Sequence, residues 1–342
     1  MTSKERSFAA MAHQKPDRVP VDYWAHAEVN KSLMEHFGLH DYESLLCKLG
    51  VDFRVVRPRY VGPELKDAGG QPVGLFGVRS RGTYSAAVSN VPLKDATTVK
   101  EIENYPFPSP DWYDYSSVAE ECEKYSEYAV VGGAWSPFFC TACSMMSMEK
   151  LLIAMAWYPK VVECLHTKIV DFFYEVSKRQ FEAAQGKMDI FFMGDDYGMQ
   201  KGLIMSLQMW RRFVKPHLAR LFDLAKSYGL IVMLHCCGSI VDIIPDLIDI
   251  GLDALDPIQV RAAGMDAEYL AREFGKDLVF HGSIDTQQTL PNGTPADVAA
   301  EVRSRLEVFG NGFICAPSQV FLPDIPVENI IALYETAVEE SS

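Results

Sequence analysis

The chain has 342 residues, of which 48% are hydrophobic and 23% charged, and its formal net charge is -14. Apolar content of this order supports a sizeable core and excludes a disordered chain, while the negative charge would repel a phosphate backbone and argues against nucleic acid as a partner. No uninterrupted apolar run approaches the ~18 residues that span a bilayer, the opening Met1-Thr2-Ser3 leads into a polar segment, and the cysteines fit reduced thiols, so no membrane association and a cytoplasmic location are expected.

In chain order, apolar runs with strand character recur at residues 19–24, 53–56, 129–132, 189–193, 230–234, 254–256, 278–281 and 312–315. Between the first two and the rest, the Gly69-Gly70 turn and the stretch 78–82 read as a hairpin inserted near residues 60–90. A long amphipathic helix is expected over 159–185, with Val161, Val162, Leu165, Ile169, Phe172 and Phe173 on one face. A second is expected over 207–228, carrying Trp210, Phe213, Leu218, Leu221 and Leu224 and stopping at Gly229. A last helix starts near Pro326 and runs to Glu339. Alternating strands and helices predict an α/β (β/α)8 TIM barrel, one domain over residues 1–342 with an N-terminal helical extension.

Barrel chemistry sits where strands finish, so polar residues directly after apolar runs are the candidates. After 230–234 come His235 and Cys237, two apart and hence on one side of the strand, a pair suited to zinc; the plainer alternative is a buried cysteine and a hydrogen-bonded histidine. After 189–193 come Asp195, Asp196 and Tyr197; adjacent carboxylates need a metal, a donor or a proton, unless one simply caps a helix. Asp256 with Gln259, His281 with Asp285, and Cys315 with Gln319 close three further strands. The spacing Cys140-x-x-Cys143 stands without a second such pair and is a weak metal or redox signal.

The tract 194–202 (Gly-Asp-Asp-Tyr-Gly-Met-Gln-Lys-Gly), the turn His235-x-Cys237-Gly-Ser, residues 256–266 beginning Asp-Pro-Ile-Gln, His281-Gly-Ser-Ile-Asp285-Thr-Gln287 and residues 312–318 resemble the methyltransferase-like branch of the uroporphyrinogen decarboxylase superfamily. The resemblance implies that fold and a corrinoid-dependent methyltransferase, most simply an O-demethylase acting on a small methoxylated aromatic compound. The corrinoid (methylcobalamin) would be supplied by a partner corrinoid protein. It further implies zinc on His235 and Cys237 with a third ligand near the last strand; aligning Ala316-Pro317-Ser318 with the family turn puts Gln319 where the family has a cysteine, and Cys315 is the other candidate. Catalytic roles are expected for Asp195, Asp196, His235 and His281, and substrate contacts for Trp24, Tyr197, Asp256, Gln259, Asp285 and Gln319. Tyr60, Trp135, Phe138 and Phe139 suit an aromatic pocket. Two alternatives remain: a methylcobamide:thiol methyltransferase, and a uroporphyrinogen-type decarboxylase. The second lacks support at residues 19–26, where the decarboxylases' propionate-gripping arginines are missing, although Arg57 and Arg59 lie on the next strand. A binding or sensory protein on the same barrel is a third class, disfavoured by so many polar strand ends.

Overall fold

The structure, a computed structural model, describes residues 1–80 and 88–339. Seven parallel strands form one curled sheet in chain order: β1 (Phe53–Val55), β2 (Ala129–Gly132), β3 (Ile190–Gly194), β4 (Ile231–His235), β5 (Ala254–Asp256), β6 (Val279–Ile284) and β7 (Phe313–Pro317). Each pairs with its neighbour in sequence, the pattern that helical crossovers produce.

The eighth strand expected at 19–24 is a bridge instead of a ladder. Residues 20–22 run between the two edge strands: Cys315 N donates to Pro20 O at 2.9 Å, Asp22 N to Cys315 O at 3.1 Å, and Asp52 N to Val21 O at 2.9 Å. The ladder is interrupted there because Pro20 has no N–H to give and the Tyr23 N–H is taken by the Asp22 carboxylate at 2.8 Å; a second isolated bridge joins Ala25 to Phe321 beyond it. Asp52, fully buried, ties this segment to β1 by accepting from Arg6 Nη1 at 2.6 Å, Arg18 Nη1 at 2.9 Å and Val21 N at 2.9 Å.

Alternation along the strands divides the core in two. Phe53, Ala129, Val131, Ile190, Phe192, Met233, Ala254, Val279 and Ile314 fill the interior of the curled sheet, with Met11 among the partly buried residues against them and Trp24 and Trp135 packed there as well. The residues of opposite parity face the helices. The helix Ser3–Met11, started by a Thr2/Glu5 capping box, forms the expected N-terminal extension.

The helix expected over 159–185 is Pro159–Ala184, with Gln185 in the left-handed conformation at its end. The one expected over 207–228 is two, Leu207–Phe213 and Lys215–Ser227, because Pro216 cannot continue the hydrogen-bond ladder. The last helix is Val327–Glu339. In the region of the inserted hairpin, Arg79–Ser80 pairs antiparallel with Val88–Asn90, and Lys66 bridges Pro72 around the Gly69-Gly70 turn. Arg81 and Gly82 of that hairpin lie outside the described residues. No single described helix is long and apolar enough to cross a membrane.

Candidate active site

The inward parity that buries Met233 carries on to His235 and Cys237 at the end of β4. On β3, Phe192 leads in the same way to Gly194, which pairs with His235, and then to Asp196. His235 Nε2 lies 3.3 Å from Cys237 Sγ and 4.0 Å from Asp196 Oδ1. One donor atom from each of the three falls within 4.8 Å of the others. Ligands on a tetrahedral zinc with bonds of roughly 2.0–2.3 Å sit about 3.3–3.8 Å apart, so this donor set fits such an ion with adjustments on the order of an ångström.

Backbone contact locks the two loops together. A Cβ on Gly198 would sit 2.6 Å from Cys237 O, and one on Gly238, whose φ is +87°, would sit 2.6 Å from Gly198 C. Only glycines allow this approach. The Cys237 N–H then donates to Asp196 Oδ1 at 2.9 Å, and the Gly238 N–H to Gln259 Oε1 at 2.8 Å. Gln319 Nε2 donates to Cys237 Sγ at 2.9 Å, its orientation set by the Val320 N–H on Oε1 at 3.0 Å. Burial raises the Cys237 thiol pKa, with His235 opposing.

Behind the triad runs a chain of buried charges. His235 Nδ1 meets Asp256 Oδ2 at 2.5 Å, Asp256 Oδ1 meets His281 Nδ1 at 2.5 Å, and His281 Nε2 meets Asp22 Oδ2 at 3.1 Å. The Trp24 indole N–H donates to that same Asp22 oxygen at 2.9 Å. Burial alone would raise Asp256, but the two histidines hold it at about 2. Burial alone would lower His281, yet Asp256 and Asp22 keep it at about 9; Asp256 likewise outweighs burial and raises His235 well above its ordinary value. An Nδ1–H committed to Asp256 leaves Nε2 as the ligand atom facing Cys237 and Asp196, the carboxylate–histidine arrangement found behind zinc.

Beside the triad opens a cavity of about 330 Å³ lined by Trp24, Arg57, Trp135, Phe192, His235, Asp256, Pro257, Pro317, Gln319 and Val320. Trp135 lies flat over Gly194, where a Cβ would come within 2.2 Å of its ring. Its centroid is 5.4 Å from His235 and 5.1 Å from Phe192, and Trp24 is 5.6 Å from Phe192. An aromatic wall therefore reaches the metal-ligand candidates.

The expected site residues divide by what they touch. Asp196, His235 and Cys237 form the triad, Trp24, Asp256 and Gln319 line the cavity, and Gln259 and His281 support them from behind. Asp195 is turned away, accepting from Phe139 N at 2.7 Å and Cys140 N at 2.9 Å at the start of the helix Phe138–Met146. Burial raises its pKa to about 7. Tyr197 is fully buried against Asp195, with its hydroxyl 3.2 Å away, and Asp285 is spent on Arg261 and the Gln287 N–H. Cys315 does not join the triad: Ile314 takes the inward parity on β7, so the Cys315 sulfur packs in the outer core under the helices. Phe138 and Phe139 are also outer core, Tyr60 meets Tyr113 edge to face, and Cys140 and Cys143 lie on a helix as free thiols. Arg57 and Phe192 were not expected in the pocket. Counting in twos from Phe53 finds the first, and from Ile190 the second.

Comparison with known proteins gives four findings. The family model described as uroporphyrinogen decarboxylase (URO-D) matches residues 85–340. A methylated-thiol–coenzyme M methyltransferase of Methanosarcina mazei is 29% identical over 132 residues, 38% of this chain and 32% of that protein. The methylcobamide:CoM methyltransferase MtaA of Methanosarcina barkeri is 30% identical over 130 residues, 38% of this chain and 36% of that protein. The matched stretch thus spans about a third of the length of these curated relatives. A solved methyltransferase structure from Methanosarcina mazei superimposes with a TM-score of 0.70 at 19% identity, covering 100% of both chains, which establishes a shared fold.

Proposed function

Since the chain belongs to the uroporphyrinogen decarboxylase family, we propose that it is a methyltransferase that demethylates a small methoxylated aromatic compound and passes the methyl group to the cobalt(I) of a corrinoid carried by a separate protein. The observation that carries this reading is the Asp196, His235 and Cys237 donor set facing an aromatic-walled cavity. The methyltransferase names of the curated relatives support the reaction class. A zinc ion on these three side chains would leave one position free and supply Lewis-acid withdrawal of charge from an ether oxygen.

The chain's own groups do the rest. Trp24, Trp135 and Phe192 hold a planar ring and keep water from it, while Asp256 and Gln319 fix the His235 imidazole and the Cys237 sulfur. The partner's corrinoid would supply a cobalt(I) acceptor for the methyl group; the carbon–oxygen electron pair would stay on oxygen, and the phenolate so formed would take a proton from solvent. Free cysteines and a cobalt(I) partner suit a reducing cytoplasm.

Zinc-loaded protein, mixed with a reduced corrinoid protein and a panel of methoxyarenes, is expected to produce methyl–cobalt absorbance together with free phenol. A second reading, methyl transfer from the corrinoid to a thiol, is favoured by the relatives' printed activities; methylation of a thiol by methylcobalamin, with no methoxyarene consumed, would replace the first reading by it. Release of carbon dioxide from uroporphyrinogen would overturn both. A cavity of about 330 Å³ speaks against so large a substrate, because ligand pockets start at roughly 300 Å³ for small molecules.

A further inference from the structure

We propose that Arg57 is the anion-recognising pole of the cavity, so that the substrate is an aromatic acid: one planar ring carrying its carboxylate on the side of the mouth facing the Asp196, His235 and Cys237 triad. This rests on the demethylase reading for the chemistry at the other end of the ring, but the charge preference stands on its own observations.

Arg57 lines the cavity and, among the described residues, has no hydrogen bond or ion pair. Its neighbours in sequence are both engaged. Arg54 bonds Glu43 at 2.9 Å and the Val51 and Phe53 carbonyls, and Arg59 bonds Asp114 at 3.0 Å. A guanidinium left unpaired beside an aromatic-walled cavity keeps its N–H groups available to an anionic ligand. Arg57 is exposed at the cavity, so a ligand anion can reach its charge without any protein partner being displaced. Asp256 does not compete for it, since both its oxygens are held by His235 and His281.

The placement also gives polarity. Arg57 follows β1 and His235 ends β4, three places apart in the strand order, and both line the same cavity. Trp24, Trp135 and Phe192 form the slot between them. At about 330 Å³ the cavity takes one substituted ring. A guanidinium pairs with a carboxylate through two parallel N–H bonds, which orients a flat ligand as well as holding it.

The test is calorimetric binding of 3- and 4-methoxybenzoate against the matching methoxybenzamides, to the full chain and to Arg57→Met and Arg57→Lys. Wild type is expected to prefer an acid over its amide by about tenfold or more, the Met variant to lose that preference, and the Lys variant to recover part of it. Because Arg57 has no partner among the described residues, its variants should melt where wild type does. Equal binding of acid and amide by wild type, unaltered acid binding by Arg57→Met, or binding of neither ligand would overturn the proposal. Methyl transfer to cobalt(I) is measured in parallel: acid binding that depends on Arg57 without any methyl transfer leaves the pole standing and removes the demethylase reading. Transfer from neutral methoxyarenes at rates indifferent to Arg57 does the reverse.

Discussion

Asp195 and Asp196 are adjacent, and strand alternation sends them to opposite layers: one caps the helix Phe138–Met146, the other reaches Cys237. Asp196→Asn is therefore expected to weaken zinc retention by about tenfold or more with little loss of stability, whereas Asp195→Ala should cost about 1–3 kcal/mol in chemical denaturation and keep the metal. The pH dependence separates two further groups. Asp195 has a folded pKa of about 7 against an ordinary 3.8, so its contribution to stability is complete below 3.8 and is lost as pH climbs towards 7; Asp195→Asn should remove that slope. His281 has a folded pKa of about 9 against 6.5, so the imidazolium held between Asp256 and Asp22 stabilises fully below pH 6.5 and loses its effect as pH passes 9. Urea midpoints across pH 6 to 10 should show this fall, of at most roughly 3 kcal/mol, in wild type and not in His281→Asn.

At the scale of elements, the site depends on two loops whose backbones touch. Gly198 and Gly238 leave no room for a Cβ, and Ser239 N donates to Met199 O at 2.8 Å across the same junction. Gly238→Ala adds a side chain at φ +87° against backbone atoms, which should cost about 1–3 kcal/mol from backbone strain and pull Asp196 away from Cys237. Zinc content after dialysis is expected to drop in that variant. Gly194→Ala should act elsewhere: it displaces Trp135, weakening aromatic ligand binding while zinc is retained, and full ligand affinity in that variant would contradict the role given to Trp135.

For the whole molecule, Asp52 joins the N-terminal helix, the bridging segment and β1 at the end of the sheet opposite the cavity. Asp52→Ala takes one of two carboxylates from the buried Arg6, which keeps Asp17, removes the carboxylate partner of Arg18 and leaves the Val21 N–H unpaired, so a loss of about 1–3 kcal/mol is expected. Below its melting temperature the variant should still bind zinc, since no atom of the triad touches Asp52. Loss of metal from a folded Asp52→Ala protein would show that the two ends of the sheet are coupled.

Seven of the eight expected strands, the side on which chemistry gathers, and the pair His235 and Cys237 were legible in the sequence, because apolar runs and a period of two are local properties of the chain. Local pattern also suggested that one of Asp195 and Asp196 would be a cap, without saying which. That choice, and the choice between Cys315 and Gln319, hung on strand phase relative to the barrel axis, which register with neighbouring strands sets: Ile314 faces inward, so Cys315 cannot, and Gln319 reaches the sulfur instead. The buried charge chain lay further out of reach, because His281 and Asp22 are 259 residues apart in sequence and meet only when residues 20–22 bridge the edges of the sheet. Arg57 was visible as a residue but not as a site: being unpaired is a property of all the side chains around it, which tertiary structure alone brings together or keeps away.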